Sequence, residues 1–492
     1  MPMSSCDAII IGGGVNGLAC ARRLAAKGRK VLVLEAGAQP GGGAGSTEFH
    51  PGFTAPALAH LTQGLDPRLA GAVPVGFHAP LATVIIGEKG PLRVQGGVAE
   101  GPDAAAWAVL HARLTRFAQA LAPFRRLSPP LLGKGNDWLP LLKNLWGVKG
   151  LGRDDLRELM RMILINVHDV GEDELGDDRL RGLLSFDATL GAWLGPRSPN
   201  SLILYLDRLA RGPDPLLPKG GMAALAGELA KGLEVRANAR VEAIVIEGDR
   251  AVGVRLAGGE EIRAPLVVSA INPRTTFRDL VGARHLDAGF QSSVGHIRMR
   301  GGAAKLHLAL DGLPDLPDSK ARIVLAPSSH AVETAFNPVK YGEVPERPVM
   351  EFILPSAHEP GLAPEGQHVL SAIVQFAPHA PKAGLETARA QMLENSLRVL
   401  DGAIPGLRAK ILHAELLMPQ DIEARFGLVG GNWHHGELAV EQMLFNRPLH
   451  GADRYASPVP GLWLAGAGAH PGGGIEGAAG WNAAEAILGA RA

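Results

Sequence analysis

Short continuous apolar runs and segments of helical periodicity alternate at the start of the chain, lose their alternation in the middle and regain it near the end. The run Ala8 to Ile11 (AIII) passes through Gly12-Gly13-Gly14 into GLACARRLAAKG, whose apolar positions share one helix face, and then into KVLVLE, closing at Glu35. The pattern predicts a strand, a glycine turn, a helix over Gly17 to Lys27 and a second strand over Lys30 to Glu35. From about Leu61 to Asp214 the periodicity is helical and interrupted by proline, without strand-helix alternation. Between Pro218 and Leu280 alternation resumes. GGMAALAGELAKG reads as a helix, VEAIVIEGDRAVGVRLAGGEEIRA as two or three short strands with Gly-Asp and Gly-Gly turns, and PLVVSA as a buried strand. Ser292 to Ser457 mixes strands such as AAKLHLALDG with helices such as LETARAQMLENSLRVL, and GLWLAGAGA near the end reads as a strand followed by the helix GAAGWNAAEAIL.

These elements predict an α/β fold in two domains. A Rossmann-like dinucleotide domain is expected from discontinuous residues 1–60, 215–291 and 458–492, and a mixed α+β substrate-binding domain from 61–214 and 292–457. At 492 residues and 46% apolar content the chain can build both cores. Its 49 basic and 49 acidic residues leave no global field, so nucleic acid is not an expected partner. The only cysteines, Cys6 and Cys20, form no C-x-x-C pair, which argues against a disulfide framework, a thiol redox centre or a zinc site and fits a reducing compartment. The first strand begins too close to Met1 for a signal peptide, and no apolar run approaches the roughly 18 residues of a membrane span. A cytoplasmic protein with at most peripheral membrane contact is expected.

Gly12-Gly13-Gly14-Val15-Asn16-Gly17 is a G-x-G-x-x-G between a predicted strand and a helix. Gly12 permits the turn, Gly14 lets backbone approach a pyrophosphate and Gly17 lets helix and strand pack closely; with Asn16 they face the ligand at the helix N-terminus. Glu35 ends the second strand, where a carboxylate accepts hydrogen bonds from a ribose diol and disfavours the 2′-phosphate of NADP. The fingerprint suits FAD or NAD. Gly472-Gly473-Gly474-Ile475-Glu476-Gly477 repeats its letters, but with no strand and ribose acid after it this is not a second dinucleotide site. Its glycines instead remove the β-carbons that would hold a flat ring off the backbone, beside a helix terminus that suits the negative charge of a reduced flavin.

Taken together, IIIGGGVNGLACARRLAAKGRKVLVLE, GGGAGSTEFHPGF, PKGGMAAL, GGNWHHGELAVEQMLFNRPL and GLWLAGAGAHPGGGIEGAAGWNAAEAIL resemble the phytoene desaturase-like flavoproteins of the amine oxidase superfamily. The resemblance is nearest to the branch named for a pyridine nucleotide-disulfide oxidoreductase domain, and it is thin from Leu61 to Asp214. It implies FAD held by three separated segments. Gly42, Gly43 and Ala44 match a second glycine turn along the ribose and pyrophosphate, and Val241 the backbone contact to adenine. Gly466, Ala467 and Gly468 match the segment near the pyrophosphate and ribityl chain, and Ile475, beside Gly474, the donor to the flavin C2 carbonyl. The disulfide activity in the branch name is discarded, since no redox cysteine pair exists.

Lys305 falls roughly where amine oxidases carry a lysine that holds a water against flavin N5; the alternative is a strand lysine facing solvent. His434, His435 and Glu437 in NWHHGEL are candidates for the cavity wall, with at most one of the adjacent histidines pointing inward if the segment is a strand. A metal there lacks other spaced ligands and is not expected. His470, before Pro471, is read as structural ahead of acid-base work. Asn136 to Ile165 interleaves Trp138, Leu142, Leu145 and Trp146 with Lys143, Lys149 and Arg153. It suits an interfacial amphipathic segment, although a core helix pair with solvated charges is the preferred reading.

The expectation is an FAD-dependent dehydrogenase or desaturase. It would take a hydride from a C–H bond of a largely apolar isoprenoid or acyl substrate and pass electrons to oxygen, a quinone or another external acceptor. Amine oxidation is the alternative within the enzymes, weakened by an aromatic content of 5%. Outside them stands a lipid- or protein-binding scaffold like the Rab GDP-dissociation inhibitors, which share the superfamily fold.

Overall fold

The computed structural model describes residues 6–129 and 138–490. A five-stranded parallel sheet gathers distant parts of the chain in the order Leu462–Leu464, Leu266–Ser269, Ala8–Ile11, Val31–Leu34, Glu234–Arg236. Its central strands are apolar at every position because both faces are covered. The first helix, Val15–Ala25, begins two residues before the predicted start because the extended Gly14 already serves as its N-cap. The last helix, Ala478–Gly489, packs directly on it. Gly480 makes this approach possible, since a β-carbon there would overlap the Asn16 carbonyl, and the Gly480 N–H donates to Asn16 Oδ1 at 3.3 Å. The predicted short strands after Arg240 form an antiparallel sheet of Val241–Glu247, Arg250–Leu256 and Glu261–Arg263.

A second sheet has eight strands in the order Ile411–Leu417, Ala303–Leu310, His368–Gln375, Val349–Ile353, Arg322–Leu325, Thr83–Gly87, Gly90–Gln95, Val98–Ala99. The last three come from a segment whose sequence reads as helical throughout. There the β-branched TVII of Thr83 to Ile86 pairs parallel to Arg322–Leu325, a tertiary contact that flanking prolines obscure in the sequence. Side chains alternate across this sheet. One face, with Leu306, Leu308, Ile323, Phe352 and Leu370, packs against the helix Leu385–Ala403 in one core. The other face carries Lys305, His307, Ser371, Ile373, Glu351 and Arg322. Lys305 pairs with Ile373 and Ile373 with Glu351, placing lysine and glutamate in one row across three strands.

The helices Trp138–Lys149 and Arg153–Leu164 bury only part of their surface. Leu159 and Met162 are in the core, but Leu142, Leu145, Met160, Leu164 and Trp146, the last 71% exposed, face outward. The preferred reading as a core pair with only charges solvated therefore fails for this outer face. Asn136 and Asp137, and the side chains of Trp138 and Lys143, lie outside the described residues. No helix of the described residues is long and apolar enough to cross a membrane.

Because Gly480 touches backbone, no side-chain repacking relieves a larger residue. Gly480→Val is expected to cost about 1–3 kcal/mol or more, read as a lowered midpoint of thermal unfolding. Wild-type stability would contradict the helix contact.

Candidate active site

Between the two sheets runs one continuous cavity of about 1420 Å³. That exceeds the roughly 300–1,000 Å³ of a single-ligand pocket and leaves room for a large cofactor and a second molecule. Gly12, Gly14, Asn16 and Gly17 line one end with Glu35, Gly42, Gly43 and Val241, and Ala467, Gly474 and Ile475 lie further along. The two glycine turns touch, the Gly41 N–H donating to Gly13 O at 2.9 Å. A β-carbon on Gly17 would overlap the Gly12 carbonyl, whereas one on Gly14 would meet nothing within 4 Å. The first position is closed by protein, the second open to the cavity. The Glu35 carboxylate is fixed by the Gly13 N–H at 2.8 Å and the Gly37 N–H at 2.7 Å. The first helix has no side-chain cap and its Gly14 N-cap lines the cavity, so its positive terminus is available to an anion, whereas the last helix, N-capped by Gly477, has its Gly480 N–H held by Asn16 Oδ1 and meets the cavity through the preceding Gly474 and Ile475. Ala44, Gly466 and Gly468 lie off the cavity surface. Ala44 closes its turn by donating to Gly41 O, and the two glycines let the Ala467 loop approach Ala270 and Pro273 closely.

Lys305 is 1% exposed and sits behind the cavity wall rather than in solvent. Its Nζ is 3.1 Å from His60 Nδ1, and His60 Nε2 is 3.2 Å from Glu351 Oε1. Burial pulls the Lys305 ammonium down to about 7, the Glu351 charge opposing. Burial and Lys305 pull His60 down to about 4. With His60 neutral, Lys305 donates to Nδ1 and Nε2–H donates to Glu351, giving the chain one direction. Glu351 is held by Arg322, and Arg322 by Asp187. Burial alone would raise the Glu351 pKa, but Arg322 outweighs it and keeps the carboxylate ionised.

His434 and His435 both line the cavity. The segment is a turn with His435 at φ 56°, not a strand, so adjacent side chains need not diverge. Burial keeps both neutral, His435 at about 4 and His434 well below its ordinary value, with Arg447 and, for His434, Arg211 adding to the effect. Glu437 points away, pairing with Arg298 and Arg300. His470 is buried off the cavity with Nε2 2.9 Å from the Phe124 carbonyl, a structural placement.

The sequence reading missed several charged residues. Arg447 is buried, its guanidinium donating to the carbonyls of His434 at 2.6 Å and Ala467 at 2.9 Å, and so ties the histidine turn to the loop before Gly472. Burial and the field of Arg211 lower its pKa to about 9. Asp207, Arg208 and Arg211 reach the cavity from the helix Leu202–Arg211, with Arg211 lying directly on Gly474. Arg322 in ARIVLA and Glu351 in VMEFIL each put one charge inside an apolar strand, a signal that such charges are buried and paired.

The profile of the family described as flavin containing amine oxidoreductase matches residues 16–488. The chain belongs to that family. Pyridine nucleotide-disulfide oxidoreductase domain-containing protein 2 of Rattus norvegicus is 28% identical, over 98% of this chain and 93% of that protein. A neurosporene-forming phytoene desaturase of Cereibacter sphaeroides is also 28% identical, over 97% and 94%. Among solved structures, an oxidoreductase of Methanosarcina mazei has a TM-score of 0.62 at 18% identity, covering 98% of this chain and 99% of that one. A putrescine oxidase bound to putrescine has a TM-score of 0.60 at 17% identity, covering 99% of both. These two share the fold.

The chain is thus an FAD-dependent oxidoreductase, and the cavity fits its cofactor. The open face of Gly14 and the uncapped first helix would take the pyrophosphate, Glu35 the ribose, and Gly474 and Ile475, just before the last helix, the flavin ring.

Two predictions follow from this geometry. Since a side chain at Gly14 meets no protein atom, Gly14→Val is expected to fold like the wild type yet lose its flavin, read by circular dichroism and by FAD released on denaturation. Retained FAD would place the ligand elsewhere. The Lys305 pKa falls from 10.5 to about 7 on folding. Between those values the unfolded chain binds more protons, so this residue's penalty is full below pH 7 and fades as pH rises. Wild-type stability is expected to gain on the order of 2 kcal/mol from pH 6 to pH 9 relative to Lys305→Met, measured by denaturant unfolding.

Proposed function

We propose that the protein is a dehydrogenase or desaturase that takes a hydride from a C–H bond of a largely apolar acyl or isoprenoid compound. Bound FAD supplies the hydride-accepting chemistry. The chain supplies a dry, shaped space: Leu190, Leu204, Ile373 and Leu438 line the cavity beyond the cofactor end and exclude water around a hydrocarbon. The observation that carries the reading is that the fingerprint glycines and this apolar region belong to one continuous cavity.

Lys305, at about 7, can hold or release a proton near neutral pH and exchange it with the cavity through His60. That placement suits a role in returning the enzyme to its oxidised state with oxygen, a quinone or another external acceptor. Arg211 on Gly474 and the clamp residue Arg447 add positive charge where a reduced ring would carry negative charge. Trp146 and the exposed leucines beside it support peripheral contact with a membrane from which an apolar substrate is loaded, at a cytoplasmic location.

The test is anaerobic mixing of purified protein with polyprenoid, acyl and amine compounds while the flavin absorbance is followed. Bleaching by an acyl or polyprenoid compound is expected, whereas bleaching by amines alone would assign the protein to amine oxidation. Lys305→Met is expected to slow reoxidation by oxygen about tenfold or more with FAD content unchanged. Equal rates would confine Lys305 to structure.

A further inference from the structure

The substrate class can be narrowed further, on the footing of the oxidoreductase reading above, by counting donors and acceptors on the charged wall. The helix Leu202–Arg211 presents Leu204, Asp207, Arg208 and Arg211 to the cavity, the spacing of a single helix face. Every carboxylate on this wall is already engaged through both oxygens. Asp187 accepts from two nitrogens of Arg322, Asp207 from Arg125 and Arg211, and Glu351 from Arg322 and His60.

The donors, by contrast, are in surplus. The Arg208 guanidinium donates no hydrogen bond to any described residue, and its one ionic contact among them is 3.6 Å long, to the Asp187 oxygen that Arg322 already holds. Arg208 is 17% exposed at its side chain, and that exposure faces the cavity. Arg211 Nε is likewise buried without a partner. Arg208 stands one turn before Arg211, which lies on Gly474, so its free N–H groups are set back from the cofactor end. The apolar Leu190, Leu204 and Leu438 line the same cavity.

We infer that the substrate is an amphiphile whose carboxylate is held by Arg208, with its hydrocarbon part along Leu190, Leu204 and Leu438. A planar carboxylate offers only acceptors and matches the guanidinium fork. An ammonium would find no unoccupied carboxylate on this wall. A neutral hydrocarbon would strip water from Arg208 and give nothing back, leaving a buried cation unsatisfied.

Calorimetric titration of the full-length, FAD-containing protein with decanoate, decanol and decylamine tests this directly. Decanoate is expected to bind at least about tenfold more tightly than decanol, as a charge-assisted bidentate contact should. Arg208→Met is expected to abolish that preference while FAD content stays at the wild-type value. The inference is overturned if the wild type fails to bind decanoate, binds acid and alcohol equally or prefers the amine, or if Arg208→Met keeps the preference. The two levels fail differently. Protein purified without FAD contradicts the oxidoreductase reading, whereas yellow protein with no acid preference removes only the carboxylate assignment.

Discussion

The contact between the first helix and the last is the constraint on which the rest of the structure depends. Gly480 rests on the Asn16 carbonyl, and through that touch residues from opposite ends of the chain, Gly14 to Gly17 at the first helix terminus and Gly474 and Ile475 before the last helix, line one cavity. The strand Leu462–Leu464 reaches the same sheet as Ala8–Ile11 with only Leu266–Ser269 between them. A nucleotide seat built this way would need Gly12 to Glu35, Val241 and Ala467 to Ile475 together, because none of its parts is complete within one segment. The intervening residues are then free to build the second sheet and the helices that close the cavity.

The second sheet solves a different problem, which is how to hold charge inside a core. Its outward face packs as plain hydrocarbon, while the face toward the cavity carries Lys305, Glu351 and Arg322 almost without exposure. Isolated, each would be prohibitively costly to desolvate. Linked as Lys305–His60–Glu351–Arg322–Asp187, they leave no carboxylate unpaired, and burial is balanced by lowering the lysine toward neutrality. The arrangement leaves cationic donors facing the cavity and no free acceptor, which gives the wall a sign that its nearly balanced composition conceals.

The nucleotide end was legible in the sequence because its requirements are local. Gly12, Gly14, Asn16, Gly17, Glu35, Gly474 and Ile475 follow from spacing, turn geometry and the need for bare backbone and reach the cavity, whereas Ala44, Gly466 and Gly468 lie off it in loop packing. The charged wall was not legible, because Asp187, Arg208, Arg322 and Glu351 meet only after four separate elements assemble. Single charges inside the strands around Lys305, Arg322 and Glu351 marked burial without naming partners. The strand Thr83–Gly87 was hidden for the same reason, since its pairing partner lies more than two hundred residues away. His434 and His435 reach the cavity together because a left-handed residue breaks the alternation that a strand would impose.

The central claim is that the two ends of the chain jointly seat one FAD, and a crystal structure of the protein as purified from its cells tests it most directly. Density for a single FAD is expected to run from Glu35 past Gly14 to Gly474, its ring against Gly474 and Ile475 before the last helix. Density for a nicotinamide nucleotide, or a protein side chain filling the ring position, would contradict it.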